Sequence, residues 1–138
     1  MLPFWCEQLD ETGNWVETFR RWRCHPEDRL WDHLEESLVT ARNLVTEPGF
    51  CQRAVHEQLA AIISLSHGEQ LPDHDLAIAS LQALLDEDSS LASLDEELRA
   101  RHEVIRQFGR FPARNRPLKR ASTPTEAYYM LGPGPRFQ

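Results

Sequence analysis

The spacing of apolar residues constrains this chain more than any other feature. From residue 30 to residue 45 they recur mostly every three or four positions, which makes one side of a helix apolar: Leu30, Trp31, Leu34, Leu38, Ala41 and Val45. The same period returns at about 50–63, 72–85 and 91–108, and no stretch alternates β-branched residues as a strand would. The sequence therefore predicts an all-α fold.

Proline, glycine and capping residues divide these apolar stretches into separate helices. Thr-Glu-Pro-Gly-Phe at 46–50 interrupts the first of them, because proline disfavours helical geometry in the residue before it. Ser89 or Ser90 is expected to cap the helix at 91–108, and Gly109 is expected to end it in a left-handed conformation. Each break is of the kind found between packed helices.

Aromatic residues near the beginning of the chain predict one more helix. Trp15, Phe19 and Trp22 lie at i, i+4 and i+7, which would bury one face. Nearby arginines give this segment a superficial likeness to a stacking surface for single-stranded nucleic acid, but helical spacing favours a core. The prediction is a single-domain bundle of about five main helices plus a short C-terminal helix over residues 1–138.

The charged residues are distributed unevenly along the chain. The formal net charge is −7, which disfavours a general nucleic-acid or membrane-surface binder, since both attract anions with positive charge. Residues 1–98 contain six Arg and twenty Asp or Glu (net −14), whereas residues 99–120 contain eight Arg or Lys and one Glu (net +7). We therefore divide the predicted domain into an acidic bundle (1–98), a basic helix–loop–helix (99–131) and a stiff Pro/Gly tail (132–138).

The cysteines and the apolar runs indicate a soluble protein of a reducing compartment. Cys6, Cys24 and Cys51 are odd in number and form no Cys-x-x-Cys pair, which is typical of free thiols. A charged residue occurs within the first seven positions, which does not fit the apolar stretch of a secretory signal. The longest nearly apolar run, 59–65, is far shorter than the ~20 residues of a membrane-spanning helix. We expect a cytoplasmic location and no membrane partner.

No pattern in the sequence specifies a metal, a cofactor or a catalytic group. The six histidines never occur at i and i+3 or i+4, the spacing that places two ligands on one ion. No serine lies in a Gly-x-Ser-x-Gly elbow, and the glycine-rich loops that hold nucleotides are absent. We expect no metal site and no cofactor, and the sequence favours a protein that is not an enzyme.

The basic segment contains the candidate site. A polar stripe that starts at Asp95 continues along the helix at 91–108, whose apolar side is interrupted by Arg101, and further polar residues follow in the next loop. The candidate ligand-binding residues are Arg99, His102, Arg106, Arg110, Arg114, Asn115 and Arg120. Guanidinium groups bind carboxylate or phosphate in pairs, so a helix stripe facing this loop would form an anion pocket. Charge alone favours the competing interpretation, in which the arginines pair with acids of the same domain.

The same segment resembles a known family. Phe-Gly-Arg-Phe-Pro-Ala-Arg-Asn at 108–115 and Leu-Lys-Arg-Ala-Ser-Thr-Pro-Thr-Glu at 118–126 are similar to the C-terminal signature of the bacterial family known as domain of unknown function 924. That signature reads Phe-Gly-Arg-Phe-Pro-His-Arg-Asn and then Leu-Gly-Arg-x-Ser-Thr-Pro-Glu-Glu. The resemblance covers about residues 98–137.

The resemblance implies an all-helical fold similar to tetratricopeptide-like bundles, with no assigned reaction. Within the signature, Thr123, Pro124 and Glu126 have the spacing of a capping box at the start of a short helix. Among the departures from the family pattern, Ala113 replaces a histidine and Lys119 replaces a glycine. The family's other segment, Asp-Gln-Phe-Pro-Arg-Asn, has no counterpart in this chain.

Three hypotheses follow for the basic segment. The leading one is a non-enzymatic domain whose surface between Arg99 and Arg120 binds a protein partner or a small anionic ligand. The alternative is an enzyme or nucleotide-handling protein in which Arg106, Arg110 and Arg114 hold phosphate. In the third, purely structural interpretation, Arg110 and Arg114 tie the loop to the bundle and are buried and paired. Nucleic acid is a disfavoured partner, and a homo-oligomer is left open.

Overall fold

Helices form all the regular structure in the described part of the chain. The computed structural model describes residues 31–134 and residue 137, with side chains from Leu34 onward. Its α-helices are α1 (Trp31–Thr46), α2 (Val55–Leu65), α3 (Leu71–Glu87), α4 (Ala92–Phe108) and α5 (Pro124–Leu131). The all-α prediction is confirmed, while the tetratricopeptide-like arrangement stays a prediction. The aromatic stripe at 15–22 lies outside the described residues.

The main core lies between the first four of these helices. Helix α1 packs against α2, α2 against α3, and α3 against α4, so that neighbours in sequence are neighbours in space. The buried members of this core are Ala41, Phe50, Ala61, Ile62, Leu65, Ala77, Leu81, Leu84 and Leu98. Burying a leucine, isoleucine or phenylalanine side chain contributes about 1.5–3 kcal/mol. No helix in residues 31–134 is long and apolar enough to cross a membrane.

Two helix starts differ from the prediction. Helix α2 begins at Val55 rather than near Phe50, which lies buried in a separate 3-10 turn, Phe50–Gln52. The serine cap predicted for α4 is wrong, because the residue before α4 is Leu91, which forms no side-chain cap hydrogen bond. The 3-10 turn that precedes α4 is capped by Asp88, whose carboxylate accepts a hydrogen bond from the Ser90 backbone N–H at 3.0 Å.

A loop follows α4 and leads to α5. Gly109 ends α4 with a φ of 73°, as predicted, because glycine adopts a left-handed conformation without steric cost. The loop that follows contains a 3-10 turn, Pro112–Arg114, and ends at Thr123, which forms the predicted capping box with Glu126 at the start of α5. This loop builds a second, smaller apolar cluster around Phe111, and the candidate site lies there.

Candidate functional site

Glu69, in the turn between α2 and α3, holds the loop that follows α4. Its carboxylate accepts hydrogen bonds from the Phe111 backbone N–H at 2.7 Å and from the Arg120 guanidinium at 2.8 and 3.1 Å. Burial tends to raise the pKa of Glu69, but the bonds from Arg120 and Phe111, with the positive charge of Arg114, outweigh it and lower that pKa. Glu69 is therefore an ionised anchor beneath the loop.

Arg110 connects the end of α4 to α5. Its guanidinium donates bidentate hydrogen bonds to the Glu126 carboxylate at 2.8 and 2.7 Å, and a further bond to the Ala121 carbonyl at 2.7 Å. The bonds from Arg110 are the main reason that the pKa of Glu126 falls to about 2. The arrangement agrees with the structural interpretation of Arg110, since its charge is neutralised inside the domain.

Asn115 holds the middle of the loop together. It is 2% exposed, its side-chain amide donates to the Ser122 hydroxyl at 3.1 Å, and its side-chain carbonyl accepts from Arg120 Nε at 3.1 Å. Because a buried amide needs its hydrogen bonds satisfied, these contacts fix the loop's path. Asn115 therefore positions Arg120 above Glu69.

Aromatic rings and cationic side chains meet around Phe111. The Arg114 guanidinium carbon lies 4.6 Å from the centroid of the Phe111 ring, and the His74 and Phe137 rings approach the same ring edge-on at 5.8 and 5.9 Å. The Arg101 guanidinium carbon lies 4.4 Å from the centroid of Phe137. We call these five residues, His74, Arg101, Phe111, Arg114 and Phe137, the Phe111 cluster. Helices α3 and α4, the loop and the segment after α5 all contribute to it.

Two guanidinium groups of this cluster are buried to an unusual degree. Arg101 is 4% exposed and Arg114 is 1% exposed, whereas arginine is almost never fully buried without strong compensation. Arg101 donates to the half-exposed Glu97 carboxylate at 3.1 and 3.3 Å, and Glu69 contributes a negative charge near Arg114. Removing such cations from water is costly unless they are paired, and the burial of Arg114 agrees with the structural interpretation, in which this arginine ties the loop to the bundle.

His74 adds a neutral imidazole to the cluster. Its Nε2 lies 2.6 Å from the Gly68 carbonyl oxygen, which can only accept, so Nε2 carries the proton and Nδ1 presents a lone pair. Burial lowers the pKa of His74, and the charges of Arg101 and His102 lower it further against the opposing effect of Gly68 and Asp73. Within the described residues, Nδ1 is buried and accepts no hydrogen bond. It is an acceptor available for a ligand.

The predicted site residues divide into two groups. Four of them, Arg110, Arg114, Asn115 and Arg120, are brought together by the loop, as described above. The other three lie along α4 and are bonded to nearby carboxylates: Arg99 to Asp95 at 2.9 Å, His102 to Asp75 at 2.8 Å and Arg106 to Glu103 at 2.8 Å. The side chains of Arg99 and Arg106 are 55% and 58% exposed, and exposed pairs contribute only about 0–1 kcal/mol each.

Sequence reasoning missed several residues in and around the Phe111 cluster. Arg101 carries a visible signal, because it is a charged residue on the apolar side of α4. His74, Glu69 and Phe137 carry none, since only the fold brings them to Phe111. The helix at 71–87 also presents Asp73, which receives two hydrogen bonds of 2.8 Å from Arg42 of α1 and so belongs to the packing of the bundle.

Comparison with known proteins identifies a family and no function. The family model described as "Bacterial protein of unknown function (DUF924)" matches residues 15–134, so the similarity extends far beyond residues 98–137. No curated protein and no solved structure gives a significant match. Among the described residues, no group of three or more His, Cys, Asp or Glu side chains is arranged to hold a metal ion.

Proposed function

The chain belongs to the DUF924 family of bacterial proteins of unknown function, and we propose that it is a non-catalytic domain that binds a small anionic ligand in the Phe111 cluster. Arg101 and Arg114 bind the acid group of the ligand, and His74 accepts a hydrogen bond from a hydroxyl or N–H group beside it. The proposal narrows the candidate surface between Arg99 and Arg120 to its most buried part.

The observation that supports this proposal is the convergence of two buried guanidinium groups on one aromatic pair. Arg114 lies against Phe111 and Arg101 against Phe137, and the two rings are 5.9 Å apart. Planar guanidinium groups bind carboxylate and phosphate oxygens in pairs. Away from water such bonds are stronger than at a surface. The cluster therefore has the chemistry of a selective site for one acid.

The depth of the cluster favours a small ligand over a protein partner. Arg114 and Arg101 are only 1% and 4% exposed. Charged contacts in a protein interface usually lie at its solvated rim, which guanidinium groups buried this deeply do not reach. A small acid with few atoms reaches such groups after a local movement of the chain. Burying most of a ligand's surface is typical of small-molecule sites.

The enzymatic alternative, with phosphate held by Arg106, Arg110 and Arg114, is less well supported. Arg106 bonds Glu103 on the exposed side of α4, and Arg110 is bonded bidentately to Glu126. Arg101 is bonded to a carboxylate as well, so the two proposals differ in burial: the side chains of Arg106 and Arg110 are 58% and 28% exposed, whereas that of Arg101 is 5% exposed. Binding without catalysis is therefore the better proposal.

Thermal unfolding and calorimetry with inorganic phosphate, phenyl phosphate and benzoate test the proposal. A ligand that binds only the native state stabilises it, by about 2.7 kcal/mol at 100 times Kd, so the wild-type Tm should rise with at least one acid. Arg101→Gln should abolish this rise, whereas Arg99→Gln, an exposed position on the same helix, should preserve it.

Ionic strength is held constant with sodium chloride, which separates binding from general screening. If Arg101→Gln does not fold, Arg114→Lys serves instead, because it keeps the charge and removes bidentate bonding. The proposal is wrong if no acid raises the Tm, or if the Arg101 and Arg99 variants respond like the wild type.

A further inference from the structure

The solvent-facing side of α5 is apolar. Its exposed residues recur at i, i+3, i+4 and i+7, and they are Pro124, Ala127, Tyr128 and Leu131. We call this set the α5 stripe. The spacing places it within about 100° of the helix circumference. Tyr128 and Leu131 are 81% and 87% exposed. In most globular proteins such a stripe faces the core, and an exposed apolar patch is typical of an interaction surface.

The opposite side of α5 is already used by the bundle. Glu126 is buried and bonded bidentately to Arg110, and the Tyr129 ring packs against Phe108 with a centroid distance of 5.0 Å. Rotation of α5 to bury the stripe would break these contacts and the capping box. The α5 stripe therefore stays outward in the single chain.

The surface of α5 is free of exposed charge, unlike that of the longer helices. Between residues 121 and 134 the only charged residue is Glu126, which is buried in an ion pair. In contrast, exposed charged side chains occur on α1, α3 and α4, for example Glu36, Asp86 and Arg106. Two molecules with a formal net charge of −7 each repel one another, and they approach at least cost through a surface without charge.

We propose that the α5 stripe is the contact surface of a symmetric dimer, in which a second copy of this chain covers it. The two α5 helices pack antiparallel across a two-fold axis at the middle of the stripe, near Ala127 and Tyr128. The positive end of each helix dipole then lies beside the negative end of the other, so the two dipoles attract. A two-fold contact uses the same surface on both molecules, which the uncharged stripe permits. This proposal does not rest on the proposed ligand site.

The size of the stripe sets the strength of the dimer. Helix α5 has eight residues and is therefore only about 12 Å long. Stable dimers bury about 800 Å² on each partner, which is more than the stripe offers. Tyrosine is enriched in protein interfaces and supplies much of the apolar area here. We expect a reversible dimer with a Kd on the order of 10–100 µM.

Sedimentation velocity with the full chain tests the dimer, over protein concentrations from about 5 to 500 µM, which bracket the expected Kd. The wild type should change from monomer to dimer across this range. Tyr128→Glu and Tyr128→Lys should each stay monomeric, because like charges then face each other at the axis. An equimolar mixture of these two variants should form dimers again, since the charges at the axis are opposite.

Val55 provides the matched control. It is an apolar residue that is 53% exposed, and it lies at the other end of α2 from the turn that holds Glu69. Val55→Glu and Val55→Lys should therefore dimerise like the wild type. Circular dichroism should show unchanged helix content in all four variants, because each substituted side chain is exposed. Added sodium chloride should weaken the dimer of the mixed Tyr128 variants and leave that of the wild type.

Three results would overturn the proposal. A wild type that is monomeric at every concentration does so in favour of a partner other than a second copy. A dimer that persists in both Tyr128 variants places the contact on another surface. A mixture of the Tyr128 variants that stays monomeric, although each variant is folded, shows that Tyr128 does not face its counterpart across a two-fold axis.

Discussion

The backbone conformation of Lys119 explains why the family signature has glycine at this position. Its φ of 56° makes it the one non-glycine residue with positive φ in the described part of the chain. The signature that the sequence resembles has glycine here, which adopts this conformation without a Cβ clash. The conformation is needed because the chain must turn within the loop, where the Arg120 N–H bonds the Asn115 carbonyl at 2.7 Å. That turn places Arg120 over Glu69.

Replacing Lys119 with glycine should therefore stabilise the protein. We expect Lys119→Gly to raise the free energy of unfolding by about 0.5–1 kcal/mol, since relief of left-handed strain exceeds the extra entropy of glycine in the unfolded chain. Urea unfolding at neutral pH measures the change. Lys119→Ala keeps the Cβ atom and should gain nothing. An equal gain from alanine would show that the lysine side chain, and not its backbone, is unfavourable.

Among the elements, α5 depends most on contacts outside itself. It has eight residues, too few for a helix to persist alone in water, and Tyr128 and Leu131 on it are 81% and 87% exposed. Its first turn is fixed instead by Glu126, which completes the capping box and receives both bonds from Arg110. One buried carboxylate thus connects the start of α5 to the end of α4.

Glu126→Gln should test this dependence through its pH profile. The pKa of Glu126 is about 2 in the folded protein against about 4.3 for a free carboxyl group, so its contribution is complete above about pH 4.5 and is lost as the pH falls towards 2. At pH 7 the substitution should lower the free energy of unfolding by about 2 kcal/mol. Urea unfolding at pH 7 and pH 3 should show a smaller difference from the wild type at pH 3.

The control for that experiment is Glu103→Gln, which removes an exposed partner of Arg106. It should change stability little at either pH, because solvent screens the pair. If Glu126→Gln were equally mild, or if its effect did not shrink in acid, the Arg110–Glu126 pair would not be what holds α5.

For the whole molecule, the sequence predicted what depends on local chemistry and missed what depends on long-range contacts. The period of apolar residues, the left-handed Gly109 and the capping box at Thr123 follow from residues within a few positions of one another. The site follows from contacts such as Glu69 with Phe111, 42 residues apart, and Glu69 with Arg120, 51 residues apart. Residues close together in sequence do not predict that the loop after α4 packs on the turn between α2 and α3.

Substitution of Glu69 should therefore let the loop after α4 open independently of the bundle. Glu69→Gln keeps the shape but removes the negative charge that faces Arg120 and Arg114, so the loop at 109–123 should open more often than the rest of the protein. Hydrogen exchange should show faster exchange of the Phe111 N–H, with Ile62 in α2 nearly unchanged. We expect the free energy of the local opening to fall by about 2 kcal/mol, the range for a charge-assisted bond in a partly buried site.

The control is Glu57→Gln, which removes a carboxylate of the exposed Arg53 pair in α2 and should leave the exchange of Phe111 unchanged. Acid should act on the wild type as the substitution does, because the pKa of Glu69 is lowered in the folded protein. The stability that Glu69 contributes is therefore present above its pKa in the unfolded chain and is lost as the pH falls below that value. Equal acceleration of hydrogen exchange at Phe111 and at Ile62 would contradict the prediction. Glu69 would then stabilise the bundle as a whole. The loop would have no separate opening through which a ligand reaches Arg101 and Arg114.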